Sequence, residues 1–307
     1  MTLPSALSAN LRLPLIAAPM FLVSGPDLVI AASRAGVIGS FPTANCRTLD
    51  DLDNWLDRMT AETAEGAPFA ANLIVHKSNV RVQDDADLVA KHRVPLVIAS
   101  VGSPAPVIDK IHAYGGKVFA DIASMRHAEK ALEAGADGLI LLTAGAGGQT
   151  GWANPFAFVR AVREIFGGPV VLAGGVADGI ALRAAITLGC DLAYMGTRFI
   201  ATRESMAVDD YKEMLVDASL DDVMLTSAFT GLPTNKLRPS IAAAGLEPDD
   251  LPARGMINVS EDINPDKRPK RWKDIWSAGH SVSGVADVPP IADLVDQLAA
   301  EYQQATG

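Results

Sequence analysis

Residues Ala136–Ala177 read ADGLILLTAGAGGQTGWANPFAFVRAVREIFGGPVVLAGGVA. The stretch opens and closes on short apolar runs, Ala136–Gly145 and Pro169–Ala177, rich in Leu, Ile, Val and Ala. Runs of this length and composition suit strands buried on both faces, the usual state of strands in a parallel sheet. Between them Pro155–Phe166 has helical spacing, with Asn154 placed to cap it and Pro155 in its first turn. A strand, a helix and a second strand is therefore the unit to look for along the rest of the chain.

The unit repeats. Six further runs, Leu13–Met20, Val37–Pro42, Phe69–Val75, Pro95–Gly102, Lys117–Ser124 and Asp191–Ile200, bring the strands to eight. Helical patterns at Asp27–Ala35, Leu49–Glu62, Asp85–His92, Ala105–Tyr114, Met125–Ala134 and Asp178–Leu188 separate them. Gly36, Gly115, Gly135 and Gly189 stand where a left-handed residue ends a helix. An open doubly wound sheet shares this local alternation, but a count of eight predicts a closed (β/α)8 TIM barrel.

After Arg203 the rhythm breaks. Residues 204–288 hold helical pieces at Asp210–Val216 and Ser240–Ala244, prolines, a basic patch and no further buried strand. A small, mainly helical cap inserted after the eighth strand is expected there. Ile291–Tyr302 then supplies the eighth barrel helix, so that 1–203 and 289–307 form the barrel domain and 204–288 the cap.

Of 307 residues, 49% are hydrophobic and 20% charged, and 26 basic against 36 acidic side chains leave a net charge of −10. This composition excludes a disordered chain and gives a core large enough to need no disulfide or structural metal. An acidic chain is a poor match for nucleic-acid phosphates. No apolar run reaches the roughly 20 residues of a membrane helix, and Met1–Pro4 shows no leader pattern. A soluble cytoplasmic protein with a small-molecule substrate follows as the expectation, without nucleic acid, membrane or metal; Cys46 and Cys190 read as buried structural thiols.

Barrels of this kind place their chemistry at the C-terminal ends of the strands and commonly hold phosphate in the loops after strands seven and eight. Those loops are Ala173–Val176 (AGGV) and Met195–Arg198 (MGTR). Gly174, Gly175 and Gly196 let backbone N–H groups approach an anion, Thr197 adds a hydroxyl, and the helix opened by Asp178 offers its N-terminus. The strand-six loop contains four glycines between Gly145 and Gly151 and is able to lie flat against a planar ring. A flavin-free isomerase or lyase acting on a phosphorylated substrate would also use such loops.

The strand end Ala17-Ala18-Pro19-Met20, the strand with Asn72, the Lys117–Ser124 strand, the loop 146–151 (AGGQTG), the strand 172–176 (LAGGV) and the segment 194–199 (YMGTRF) stand in an order that resembles the nitronate monooxygenase, or 2-nitropropane dioxygenase-like, flavoproteins. The resemblance extends to Thr230-Gly231 and Ser277-Ala278-Gly279-His280. It implies non-covalently bound FMN, with Ala18, Pro19 and Met20 backing the ring, Asn72 on its polar edge and Lys117 directed at the ring or ribityl chain. Gly145 belongs to the loop against the ring, and Gly174, Gly175, Gly196 and Thr197 would hold the phosphate. The implied reaction is oxidation of nitronates with O2 through flavin N5.

One position departs from that pattern. Where nitronate-oxidising members carry a histidine after the double glycine, this chain has Gln149. An imidazole exchanges a proton near neutral pH and an amide does not. Gln149 can orient a pre-formed nitronate, but it equally suits an NAD(P)H-dependent reductase of an activated alkene, such as an enoyl thioester, or of a quinone. His280 is a candidate acid in place of the missing imidazole. Lys267–Lys273, with five basic residues in seven, could meet the phosphates of an acyl-CoA or of NADPH, although such runs more often face only solvent.

Overall fold

The computed structural model describes residues 3–251 and 274–305, so the basic run Lys267–Lys273 lies outside the described residues. Eight parallel strands form one sheet: β1 (Leu15–Ala17), β2 (Gly39–Pro42), β3 (Phe69–Ile74), β4 (Leu96–Ser100), β5 (Lys117–Ile122), β6 (Gly138–Leu142), β8 (Val170–Ala173) and β9 (Leu192–Met195). The two-residue strand β7 (Gly148–Gln149) lies in the strand-six loop, outside this sheet. The sheet runs in the order β1-β9-β8-β6-β5-β4-β3-β2, and a parallel bridge between Ile16 and Ile38 brings its edges together into a TIM barrel.

The short helix α1 (Ser5–Ser8) precedes the barrel, and its surrounding layer consists of α2 (Pro26–Ala35), α3 (Leu49–Glu62), α4 (Val82–Lys91), α5 (Ala105–His112), α6 (Met125–Glu133), α7 (Pro155–Ile165) and α8 (Gly179–Leu188). Their starts follow from local chemistry. Thr48 and Asp51 form a reciprocal capping box on α3, and the Asn154 side chain accepts from Phe156 and Ala157 N–H at the start of α7. The left-handed residues Gly36 and Gly189 end α2 and α8.

Side-chain alternation along the strands divides the core. Ile16, Ile38, Ile98, Phe119, Ile140, Val171 and Leu192 fill the barrel interior, while their neighbours meet the helices outside. After β9 come α9 (Thr197–Ile200), α10 (Asp209–Asp217), β10 (Val223–Thr226), β11 (Thr234–Leu237) and α11 (Arg238–Ala243). The last helix, α12 (Ile291–Gln304), packs against both α2 and α8 and covers the seam where β1 meets β9.

The segment after Arg203 carries the helices α10 and α11, but it also contains a buried strand, where the sequence led us to expect none. β10 and β11 pair antiparallel, and β11 also pairs with β7. All four residues of β11 are buried. The run is TNKL, and its burial is sustained by hydrogen bonds: Thr234 Oγ1 donates to Thr226 O at 2.9 Å, Asn235 Nδ2 to Ala146 O at 2.8 Å and Lys236 Nζ to Ile275 O at 3.1 Å. A buried strand made of satisfied polar residues leaves no hydrophobic signature. No helix among the described residues is long and apolar enough to cross a membrane.

Candidate functional site

A cavity of about 270 Å³ opens at the C-terminal ends of the barrel strands. Its floor comes from the strand ends, and its roof from the strand-six loop, α10, Thr230 and the returning segment Ile275–Ala278. Ala18, Pro19, Met20, Asn72, Gly145, Gln149, Gly174, Gly175, Gly196 and Thr197 all line it. The structure thus gathers ten of the twelve residues singled out in the sequence around one space.

Lys117 is not among them. It is the first residue of β5 and so lies at the opposite end of the barrel, where its Nζ is 2.9 Å from Asp137 Oδ1. A parallel strand presents only its last residues to the C-terminal face. His280 is also outside the cavity lining. Its backbone N–H donates to Gly145 O at 2.8 Å, its side chain is exposed, and the ring stands where a Cβ on Gly145 would come within 2.8 Å of Nδ1. The structure therefore gives neither residue the contact expected of it.

The α8 N-terminus has carboxylate partners within the protein. Ala181 N–H donates to Asp178 Oδ1 at 2.7 Å, and Gly179 N–H donates to Glu301 Oε2 at 2.8 Å, a carboxylate supplied by α12. Two carboxylates already answer this helix end, which leaves the glycine loops before it as the more open donors.

Those loops are built for close approach. Gly174 and Gly175 have φ of 121° and 77°, a region that costs a residue with a side chain of order 1 kcal/mol or more. A Cβ on Gly174 would come within 2.6 Å of Thr143 Oγ1 and 3.0 Å of Ala146 N. On β9 the chain turns at Gly196 into α9, and Thr197 Oγ1 accepts from Gly279 N–H at 3.0 Å, which leaves the hydroxyl hydrogen free to donate.

Asn72 sits on the floor with its amide oriented. Its Nδ2 donates to Ile98 O and to Ser100 Oγ, both at 3.0 Å, so its Oδ1 is the group left for a ligand. On the roof, Gln149 belongs to β7, and its pairing with Thr234 of β11 fixes its backbone. The Tyr211 and Trp276 rings form an apolar wall, and Tyr211 Oη accepts from Ser277 N–H at 3.2 Å.

Several lining residues were absent from the sequence reading. Ser100, Asp121 and Tyr194 rise from β4, β5 and β9. Burial raises the Asp121 carboxyl to about 7. The Tyr194 phenol is pushed well above its ordinary value by burial and then by the Asp121 charge. The available signal for Asp121 was an acidic residue two positions after the barrel-filling Phe119, hence on the same inward face and nearer the mouth. Tyr194 follows Leu192 in the same way.

Among the described residues lining the cavity there is no Lys, Arg or His. Nor do the described residues contain a group of three or more His, Cys, Asp or Glu side chains able to hold a metal. Cys46 and Cys190 are buried away from the site, and burial pushes both thiols up to about 12, which leaves them unreactive.

A family model described as nitronate monooxygenase matches residues 5–301. Among curated proteins, the chain is 29% identical over 231 residues to a (3aS,4S,5R,7aS)-5-hydroxy-7a-methyl-1-oxo-octahydro-1H-indene-4-carboxyl-CoA dehydrogenase of Mycobacterium tuberculosis, a match spanning 74% of this chain and 64% of that protein. It is 25% identical to a nitronate monooxygenase of Paraburkholderia phytofirmans, over 95% of this chain and 93% of that one. Among solved structures, FabK from Thermotoga maritima superposes with a TM-score of 0.79 at 26% identity, covering 97% of this chain and 94% of that chain.

Proposed function

The chain belongs to the nitronate monooxygenase family, and from that premise we propose that it is an FMN-dependent oxidoreductase moving a hydride between NAD(P)H and an activated alkene, such as an enoyl thioester, or a quinone. The observation that carries the reaction type is Gln149, an amide at the roof of a cavity whose described lining contains no imidazole. An amide can hold a carbonyl oxygen in place but cannot take up a proton from carbon at neutral pH. A substrate that accepts hydride needs no such base, and the proton that completes its reduction, at the α-carbon of the alkene or at a quinone oxygen, is taken from solvent.

The residues present fit FMN. Gly174 and Gly175 form a cradle that a Cβ would strain or fill, and with Gly196 and Thr197 they supply N–H and hydroxyl donors for a phosphate without any cation. Ala18, Pro19 and Met20 give a largely apolar surface, and Asn72 Oδ1 offers an acceptor for a ring N–H. When bound there, FMN supplies the N5 position that accepts and returns hydride. The protein's own part is to seat the phosphate, orient Gln149 through β11 and exclude water with the Tyr211–Trp276 wall.

A second reading, oxidation of a nitronate with O2, is favoured by the nearly full-length match to a nitronate monooxygenase. It is compatible with Gln149 because a nitronate arrives already deprotonated. A thioester substrate is favoured by the match to a carboxyl-CoA dehydrogenase.

Anaerobic mixing of the FMN-loaded protein with NADH, NADPH and a nitronate in turn tests these readings. Bleaching of the flavin by NADH or NADPH, and its return on adding an enoyl thioester or quinone, is the expected result. Bleaching by nitronate alone would transfer the conclusion to the second reading. Bleaching by none would overturn both.

A further inference from the structure

Ala18, Pro19 and Met20 line the cavity, yet β1 ends at Ala17. The bond from Ala18 N–H to Met195 O at 2.9 Å is the last that ties this chain to β9, so the residues after it need another support. Asn45 supplies it, from the short 3-10 turn Thr43–Asn45 that follows β2. Its Oδ1 accepts from Leu22 N–H at 2.8 Å, and its Nδ2 donates to Met20 O at 3.1 Å and to Ser24 O at 2.7 Å. Turning the amide over would set its NH2 against an N–H and its oxygen against two carbonyls, so these partners fix one orientation. Ser24 adds the complement: its hydroxyl accepts from Met20 N–H at 3.0 Å and donates to Ala18 O at 3.3 Å.

The loop so held is a costly one. Leu22 has φ of 62°, a left-handed conformation that is uphill for a residue with a Cβ. Its side chain is 40% exposed, so packing does not impose this shape, and the bond to Asn45 falls on its own N–H. Asn45 is in turn anchored from behind. Thr43 Oγ1 donates to Asp85 Oδ2 at 2.8 Å, while Arg81 pairs with the other oxygen of that buried carboxylate at 2.9 Å and donates to Cys46 O at 2.8 Å. A chain of bonds thus runs from the start of α4 through the 3-10 turn to the cavity wall, and Asn45, which does not line the cavity, is its last link.

We propose that Asn45 is a positioning residue for the ligand of this cavity: it holds Ala18–Met20 in the shape that receives a flavin ring, without touching the ring. The proposal rests on the FMN reading above. A wall shaped before the ligand arrives spares the binding step the cost of ordering it. Loss of Asn45 therefore falls on ring binding and leaves the glycine cradle at the ends of β8 and β9 as it was.

The test uses the full chain freed of flavin, titrated with riboflavin and with FMN. Asn45→Ala is expected to weaken both by the same factor, about tenfold, the scale of losing a hydrogen-bonded support. It is also expected to shift the visible absorption band of bound riboflavin, which a loss of stability alone does not move. Asn45→Asp keeps an acceptor for Leu22 N–H but has a donor only when protonated. Its riboflavin affinity relative to wild type at the same pH is expected to be low at pH 8 and to recover towards pH 5, as the carboxyl takes up its proton. This variant carries the test where Asn45→Ala does not fold. Wild-type riboflavin affinity in Asn45→Ala, or in Asn45→Asp at pH 8, overturns the proposal while leaving FMN binding intact. A loss confined to FMN overturns it too, because the effect would then lie at the phosphate. Failure of the wild-type protein to bind either flavin overturns the FMN reading and the proposal together.

Discussion

The phenol ring of Tyr211 lies 4.9 Å from the indole of Trp276, with the two planes 11° apart, and the Tyr211 hydroxyl donates to the Ser277 carbonyl. α10 thereby pins the returning chain as one wall of the cavity. Tyr211→Phe keeps the stacked rings but leaves the Ser277 C=O and N–H without their phenol partner. A loss of about 1–3 kcal/mol is expected by chemical denaturation, together with a rise in KM larger than any fall in kcat.

Gly175→Ala tests the phosphate cradle. A Cβ there meets nothing within 4 Å, so crowding within the protein is not the problem; its φ of 77° is. The expected stability cost is about 1 kcal/mol. The added methyl would project into the space where the proposed phosphate would sit, and FMN affinity is expected to fall at least about tenfold while riboflavin affinity changes little. Equal losses for both ligands would show that the phosphate sits elsewhere.

Asp121 also ties stability to pH. Its folded carboxyl is raised from 3.8 to about 7, so the native state holds a proton that the unfolded chain has already released. The contribution is complete below pH about 4 and is lost as pH rises through 7. Asp121→Asn cannot ionise, and is expected to be more stable than wild type at pH 8, by up to about 4 kcal/mol, with the advantage vanishing near pH 4. Urea denaturation of the flavin-free proteins at the two pH values measures the difference.

Lys117→Met examines the correction made by the fold. The Lys117 side chain is one-third exposed, and its partner Asp137 keeps the Val118 N–H at 2.9 Å and His112 Nε2 at 2.7 Å. The expected cost is about 1 kcal/mol or less, with FMN affinity unchanged. A marked loss of FMN affinity would contradict the placement of Lys117 at the far end of the barrel.

Gln149→His reintroduces a titrating side chain at the roof. Turnover of neutral nitroalkanes is expected to appear in the variant and to rise with pH through the imidazole range. If the variant gains none, the imidazole is not positioned by β7 alone.

The barrel was legible because each of its strands is buried on both faces, so that runs such as Leu96–Ser100 and Gly138–Leu142 stand out as unbroken apolar segments. The glycine loops were legible because their place at the ends of β8 and β9 follows from counting strands. β11 was hidden because Thr234, Asn235 and Lys236 are buried through hydrogen bonds rather than through apolar surface. Lys117 was assigned to the ring through the resemblance, although it begins its strand and a parallel strand offers only its last residues to the mouth; four residues on, Asp121 is the titratable group that lines the cavity. The capping of α8 by Glu301 joins residues 122 apart in sequence and leaves no local trace.

The pairing of Thr234 with Gln149 and of Asn235 with Gly148 has an evolutionary consequence. The barrel's own loop and the segment inserted after β9 share a ladder, so Gln149 answers to two separate parts of the gene. Insertions, deletions or register changes around β10 and β11 can re-aim Gln149 while every barrel strand and the glycine cradle stay untouched. Diversification of substrate preference can therefore proceed by exchanging the roof, with the floor inherited unchanged.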